Sequence, residues 1–461
     1  MWGRPPGLRT GLQTGPGRAQ LASGTWTSRA GLEACPTGDN GRMGLGVWLA
    51  AFWAAGVGPT FSHDVAPILY RECAACHRAG GVAPFALITY QDASKRAQLI
   101  ATVTAKHYMP PWLPAAPRFQ HERKLTAAEI ALLARWAANG APEGDQKLAP
   151  ASPKFPEGWQ LGKPDFETEM RTAFDVTAEG PDRYQCFVMP GVPADRWVRA
   201  LDIRPGNTKA VHHALLFQDT TGTARQRDRG SGYSCFWTPG FLPARGLGGW
   251  TPGAVPFRAP EELPELLHGH ADLVLQVHYH PSGKPEHDQT RLALYFTDER
   301  PRFRVMDVPL GSNHIDIPGG DAAYKVEDHF TVPVDVLVYA ISPHAHYVCK
   351  EIWGYAVLPD GTRRTLLHIP EWNFDWQQQY TYPAPVRLPA GTRLEMEYTY
   401  DNSAANPRNP YHPPRRIAWG PGSTDEMAGL HIEVRPVEKD DGEELSQALW
   451  GKMMRQLAPK R

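Results

Sequence analysis

The sequence predicts a multidomain chain: a small all-α domain followed by two all-β antiparallel, jelly-roll-like sandwich domains. Three observations carry this. The 461 residues allow about three domains at roughly 150 residues each. Apolar residues recur at helical spacing up to about residue 146 and then switch to alternation. Proline (45) and glycine (43) are both abundant, which suits many turns better than long helices.

The elements follow in order. Residues 44–56, GLGVWLAAFWAAG, are apolar and uncharged, with Arg42 just before them. That run is short for a membrane span and suits a signal-peptide core, with Ala54, Ala55 and Gly56 near the cleavage point. Residues 1–57 are therefore expected to be a leader removed on export, with Met43 as a candidate start. A retained N-terminal anchor helix is the alternative. Residues 58–147 read as the helical domain. In it, Thr126 and Glu129 form a capping box, Ile130, Leu133 and Ala137 share a face, and Gly140 with Pro142 ends the helix. The stretch 148–165, rich in Pro, Lys and Gly, reads as a linker.

Alternation then takes over. In ADLVLQVHYH, Leu273, Leu275, Val277 and Tyr279 face one side, and Gln276, His278 and His280 the other. DVLVYAISPHAHYV and TRLEMEYTYDN read as further strands, with PDGT and PAGT as turns between strands. The two sandwiches are placed at 166–300 and 301–436, and a charged helical tail at 437–461.

The net charge of −1 gives no electrostatic case for nucleic acid or an acidic membrane surface. The six cysteines sort by context. Cys186 and Cys235 are candidates for a disulfide, which would imply an oxidising compartment. Cys349 has no obvious partner, and Cys35 lies in the leader.

Cys73-Ala-Ala-Cys76-His77 reads as a c-type haem attachment site. Two thiols would bond the vinyl groups, and His77 would be the proximal iron ligand. The helical domain resembles small class I cytochromes c, in which a methionine in a downstream loop is the usual distal ligand. Met109 in HYMPPW fills that position, with His107 as the alternative. Together Cys73, Cys76, His77 and Met109 form the expected haem-binding set.

Six residues downstream look like ligands of two copper ions: His212 and His213 in VHHALLF, His278, His344 and His346 in SPHAH, and Met427 in STDEM. A thioether favours copper over zinc or magnesium. His344 and His346, at i and i+2, project from one face of a strand. Adjacent His212 and His213 would project oppositely, so both can serve one metal only at a bulge, a strand end or a strong twist. His280 shares the face of His278 and is a rival ligand or a neighbouring hydrogen-bond donor.

Taken in order, VHHALLF, LVLQVHYH, HAH and TDEM resemble the copper motifs of the copper type II, ascorbate-dependent monooxygenases, the family of peptidylglycine α-hydroxylating monooxygenase and dopamine β-monooxygenase. The resemblance spans about residues 175–435. It implies an electron-transfer copper at His212, His213 and His278, and an oxygen-binding copper at His344, His346 and Met427, which would be the catalytic set. It also implies a Cys186–Cys235 disulfide and places Tyr184 and Gln276 near the first copper. YDNSAANPRNP (400–410) looks like a loop of bacterial relatives that join haem and copper domains. Ser342 replaces the arginine that holds the peptide carboxylate in the amidating enzymes, and Gly429 and His431 stand where they carry asparagine and tyrosine. A glycine-extended peptide is therefore not the expected substrate.

The implied activity is hydroxylation of an aliphatic C–H bond of a small organic substrate by O2, with haem c feeding electrons to a dicopper centre. Ascorbate, a quinol-linked carrier or a soluble cytochrome would be the donor. Export plus haem c implies a bacterial periplasmic or extracellular home, with no stable membrane span after cleavage. The alternative class is a non-catalytic extracytoplasmic electron-transfer or copper-binding protein. Zinc hydrolysis is a third class, disfavoured because zinc has no use for a thioether or a haem partner.

Overall fold

The computed structural model describes residues 58–457, apart from 157, 237, 242–244 and 261–262. The expected leader at 1–57, with Cys35, lies outside the described residues.

The described residues begin with a π-helical turn, Phe61–Val65, and four α-helices, Ala66–Glu72, Tyr90–Ser94, Ala97–Ala105 and Ala127–Ala138. The last helix starts where its sequence dictates. The Glu129 amide donates to Thr126 Oγ1 at 3.2 Å, and the Thr126 amide donates to Glu129 Oε2 at 2.8 Å, so two otherwise unsatisfied donors are paired. It stops at Gly140, whose φ of +80° is costly for any residue with a Cβ. Val65, Leu69, Leu133 and Trp136 are fully buried between these helices. Each large apolar side chain so buried contributes about 1.5–3 kcal/mol.

From Phe166 onward the chain is almost entirely antiparallel strand. One sheet runs Phe166–Glu169, Arg291–Thr297, Arg196–Arg204, Phe257–Arg258, with Glu265–Leu267 also on Arg196–Arg204. Against it lies a sheet of Tyr233–Ser234, Arg183–Met189, Asp272–Tyr279, Val211–Asp219 and Arg245–Trp250. Their inner faces share one core, with Leu201, Ile203 and Leu294 from one sheet and Leu273, Leu275, Val277 and Tyr279 from the other. The alternation read in ADLVLQVHYH therefore sends its Leu/Val/Tyr set inward.

A second sandwich-like pair follows. Its sheets are Met306–Ser312, Ala428–Pro436, Val336–Ala345, Tyr380–Leu388, and Tyr324–Thr331, Arg393–Tyr400, Cys349–Val357, Arg363–Ile369. Val308, Ile341, Leu430 and Ile432 from one meet Ile352, Leu367, Leu394 and Tyr398 from the other. No sheet mixes described strands from before and after residue 300. The described chain is thus mostly antiparallel sheet in sandwich-like pairs, with few helices.

The described residues from Pro59 to Leu457 belong to one compact unit. Arg123, just past the first three helices, ties its parts together. It donates from Nη1 to the Gly253 carbonyl at 2.8 Å and from Nη2 to Gln378 Oε1 at 3.2 Å, reaching a loop of each sandwich-like pair. The tail helix Gly442–Leu457 docks through buried Leu445 and through Lys452 Nζ on Asp328 Oδ2 at 2.7 Å. Among the described residues no helix is long and apolar enough to cross a membrane.

Candidate metal centres

His213 and His278 face each other across neighbouring strands, Val211–Asp219 and Asp272–Tyr279. The next residue along, Tyr279, pairs with Val211 rather than His212. His212 is therefore the extra residue of a β-bulge, and the bulge re-aims it to the side on which its neighbour already points. The three rings converge. His212 Nδ1 lies 3.2 Å from both His213 Nδ1 and His278 Nδ1. One nitrogen from each of the three falls within 4.8 Å of the others.

Asp182 sits behind this cluster. Its Oδ2 is 3.1 Å from His278 Nε2 and its Oδ1 is 2.7 Å from His280 Nδ1. With Nε2–H donated to Asp182, the Nδ1 of neutral His278 is a bare lone pair pointing at its neighbours. Burial would raise the Asp182 carboxyl, but the two imidazoles outweigh it and hold it well below the usual carboxylate range. Burial pushes His212 and His213 well below the ordinary imidazole value, with His278 adding to the effect. These rings are neutral near pH 7, and a proton can satisfy at most one of the two nitrogen–nitrogen contacts. A cation satisfies all three nitrogens at once, so the donor set fits a metal. His280, the rival ligand, is drawn to Asp182 instead. Tyr184 stacks on His278 with centroids 4.1 Å apart, and Gln276 Nε2 lies 3.5 Å from Cys235 Sγ. Cys186 and Cys235 are joined as a disulfide, while Cys349 is a buried free thiol.

The second set forms at the end of Val336–Ala345. His344 and His346 project to one side, with centroids 5.2 Å apart. Each has one nitrogen occupied. His344 Nδ1 lies 2.5 Å from Gln377 Oε1, and His346 Nδ1 lies 3.2 Å from the Asp425 carbonyl. Both partners are acceptors, so both Nδ1 atoms donate and both Nε2 atoms carry lone pairs. His346 Nε2 is buried without a hydrogen-bond partner. A buried acceptor left unpaired is costly, and a metal at that position removes the cost. Burial pushes His344 down to about 4 and His346 to about 3, so neither is protonated at neutral pH. Ala345 pairs with Ala428. One residue further in that register sets Met427, itself 5% exposed, across from His346.

The two sets share a wall. The rings of His213 and His344 are 6.5 Å apart. Phe374 stacks on His212 at 4.4 Å and meets His346 edge-on at 5.7 Å. Gln377, which holds His344, also donates to the Phe374 carbonyl at 3.0 Å.

In the haem motif, Cys73 and Cys76 are free, half-buried thiols. His77 Nδ1 lies 3.0 Å from the Phe85 carbonyl, so Nδ1 donates and Nε2 is left as an acceptor. A cavity of about 710 Å³ opens beside Cys76, lined also by Arg78, Arg123, Arg204 and Trp250. Free thiols and an available Nε2 suit the attachment motif, while Cys73 is not on the cavity lining. His77 and Met109 are not on the cavity lining. Met109 is half-buried in the loop after Ala97–Ala105, joined to Pro110 by a cis peptide, and His107 is exposed.

Asp182, Phe374, Gln377 and Glu426 went unread in the sequence. Asp182 had one signal, a second histidine two residues after His278. Glu426 had another, its place inside the TDEM motif. Phe374 and Gln377 lie in a loop without periodicity and gave none.

No protein-family model matches the chain, and no curated protein is similar to it. Among solved structures, the VP2 subviral particle of infectious bursal disease virus is similar over 60% of this chain and 72% of that one, at 9% identity and a TM-score of 0.20. Allantoicase is similar over 56% of this chain and 80% of its own, at 10% identity and a TM-score of 0.17. Neither likeness assigns a fold or an activity to this chain.

Proposed function

We propose that this chain is a haem-containing copper monooxygenase that hydroxylates an aliphatic C–H bond of a small organic substrate. Its parts would be a cytochrome c-like domain at 58–147 and two jelly-roll-like copper domains at 166–300 and 301–436, exported to the periplasm or beyond. The observation that carries the reading is the convergence of His212, His213 and His278, one nitrogen from each lying within 4.8 Å of the others, with the His344 ring 6.5 Å from that of His213.

The overall change balances as R–H, O2, two electrons and two protons giving R–OH and water. Bound copper would supply one-electron chemistry and O2 activation, and haem c would supply an electron inlet. The protein's residues do the rest. Asp182 fixes the tautomer of His278 and sets a negative charge behind the three-histidine set. Gln377 and the Asp425 carbonyl fix the tautomers of His344 and His346, so that lone pairs face inward. Met427 biases its site toward the soft, reduced metal. Phe374 keeps water from the wall between the sets and holds both in register. Ser342, Gly429 and His431 leave no clamp for a peptide carboxylate.

The second reading is a non-catalytic electron-transfer or copper-binding protein. It is favoured by the burial of His346 and Met427, 0% and 5% exposed. Reduced haem tests the two. It should reoxidise several-fold faster in O2 when copper is loaded than when copper is stripped. Equal rates in a stopped-flow comparison would rule out haem as the feed to the copper sets.

A further inference from the structure

Glu426 is completely buried, and the proposed chemistry has no use for it as an acid or base. Its described partners are backbone N–H groups. Oε1 accepts from the amides of His346 (2.5 Å) and Met427 (2.8 Å), and Oε2 accepts from the amide of Val348 at 3.1 Å. The Cys349 amide also contributes. His346, Val348 and Cys349 lie where Val336–Ala345 turns into Cys349–Val357, and Met427 leads into Ala428–Pro436. One buried side-chain carboxyl group therefore grips the chain at two ligands carried by different strands.

We infer that Glu426 is the positioning residue of the second metal set, holding His346 and Met427 at the mutual spacing that lets both reach one metal. The main chain of Met427 is pinned from the other end as well, its carbonyl accepting from Tyr400 Oη at 2.7 Å. The backbone of Glu426 closes the arrangement, its amide donating to the Ala418 carbonyl at 3.0 Å. A thioether ends a flexible side chain, and without a fixed backbone its sulfur samples many positions. With the backbone fixed at both ends, the region that the sulfur can reach is narrowed. The inference rests on the copper reading above for what binds, and on the hydrogen bonds alone for the grip.

The sharpest variant is Glu426→Gln. The amide has the same shape, but its NH2 must face a backbone N–H on one side or the other. Donor then meets donor, and one strand is released. Expected results are a fall of about 10–100-fold in Cu(I) affinity at this set, as for other residues that orient metal ligands, and loss of the sulfur contribution from Met427 in X-ray absorption of the Cu(I) protein. Copper at His212, His213 and His278 should persist. A folded Glu426→Gln chain that keeps the sulfur signal and both coppers overturns the inference.

Amide hydrogen exchange on the metal-free wild-type chain decides the matter if the variant does not fold. The amides of His346 and Met427 should exchange as slowly as those of the adjoining strands. Exchange at the rate of an open loop would overturn the grip. A wild-type chain that binds no copper would instead defeat the proposed function, while its exchange data would still judge Glu426.

Discussion

Replacing Met427 with leucine is expected to abolish hydroxylation and remove one of two bound coppers, while haem reduction and reoxidation by an added oxidant continue unchanged. Leucine keeps the volume of the buried side chain, so the packing cost stays below about 1.5 kcal/mol. Alanine would add a cavity cost of about 2–5 kcal/mol and blur the result. The lost thioether is the difference that bears on the metal, because it is what makes this set soft. Metal analysis with O2 uptake checks the outcome. Equal loss of haem cycling and hydroxylation would contradict the division of labour between the two metal centres and the haem.

The second large effect is on stability. Cys186 and Cys235 are bridged across a sequence separation of 49 residues. Chain-entropy reasoning gives a stabilisation of about 4 kcal/mol for such a loop, and measured losses usually fall at about 2–5 kcal/mol. Cys186→Ser with Cys235→Ser should therefore lower the free energy of unfolding by about that amount, and the midpoint in denaturant with it. The effect reaches the first metal set. The bridge lies under Gln276, two residues before His278, and joins the strand that carries Tyr184 to the neighbouring Tyr233–Ser234 segment. Weaker copper binding at His212, His213 and His278 should accompany the lost stability. An unchanged midpoint and unchanged affinity would mean that the surrounding sheet alone holds this region.

What could be read in advance follows from how far each signal reaches along the chain. The capping box at Thr126 and Glu129 was legible because it is complete within four residues. The alternation of Leu273, Leu275, Val277 and Tyr279 was legible because one strand carries it. His344 and His346 converge because i and i+2 always share a face. The His212–His213 pair was different. Its convergence needs a bulge, and the bulge exists only in the register between two strands separated by some sixty residues. Asp182 approaches His278 across 96 residues. Phe374 and Gln377 reach both metal sets from an irregular loop whose position depends on the whole second sandwich-like pair. Those partners are properties of the assembled fold.

The seating of a haem is the least local question, because His77 and Met109 belong to separate loops. The pairing of Cys186 with Cys235, expected from the sequence, is present and ties Arg183–Met189 to the residue after Tyr233–Ser234.

The most direct measurement is the metal and haem content of the mature protein, purified from a host that attaches haem c and supplied with copper. The account predicts two coppers for each covalent haem. One haem with no copper, or zinc in its place, would contradict it.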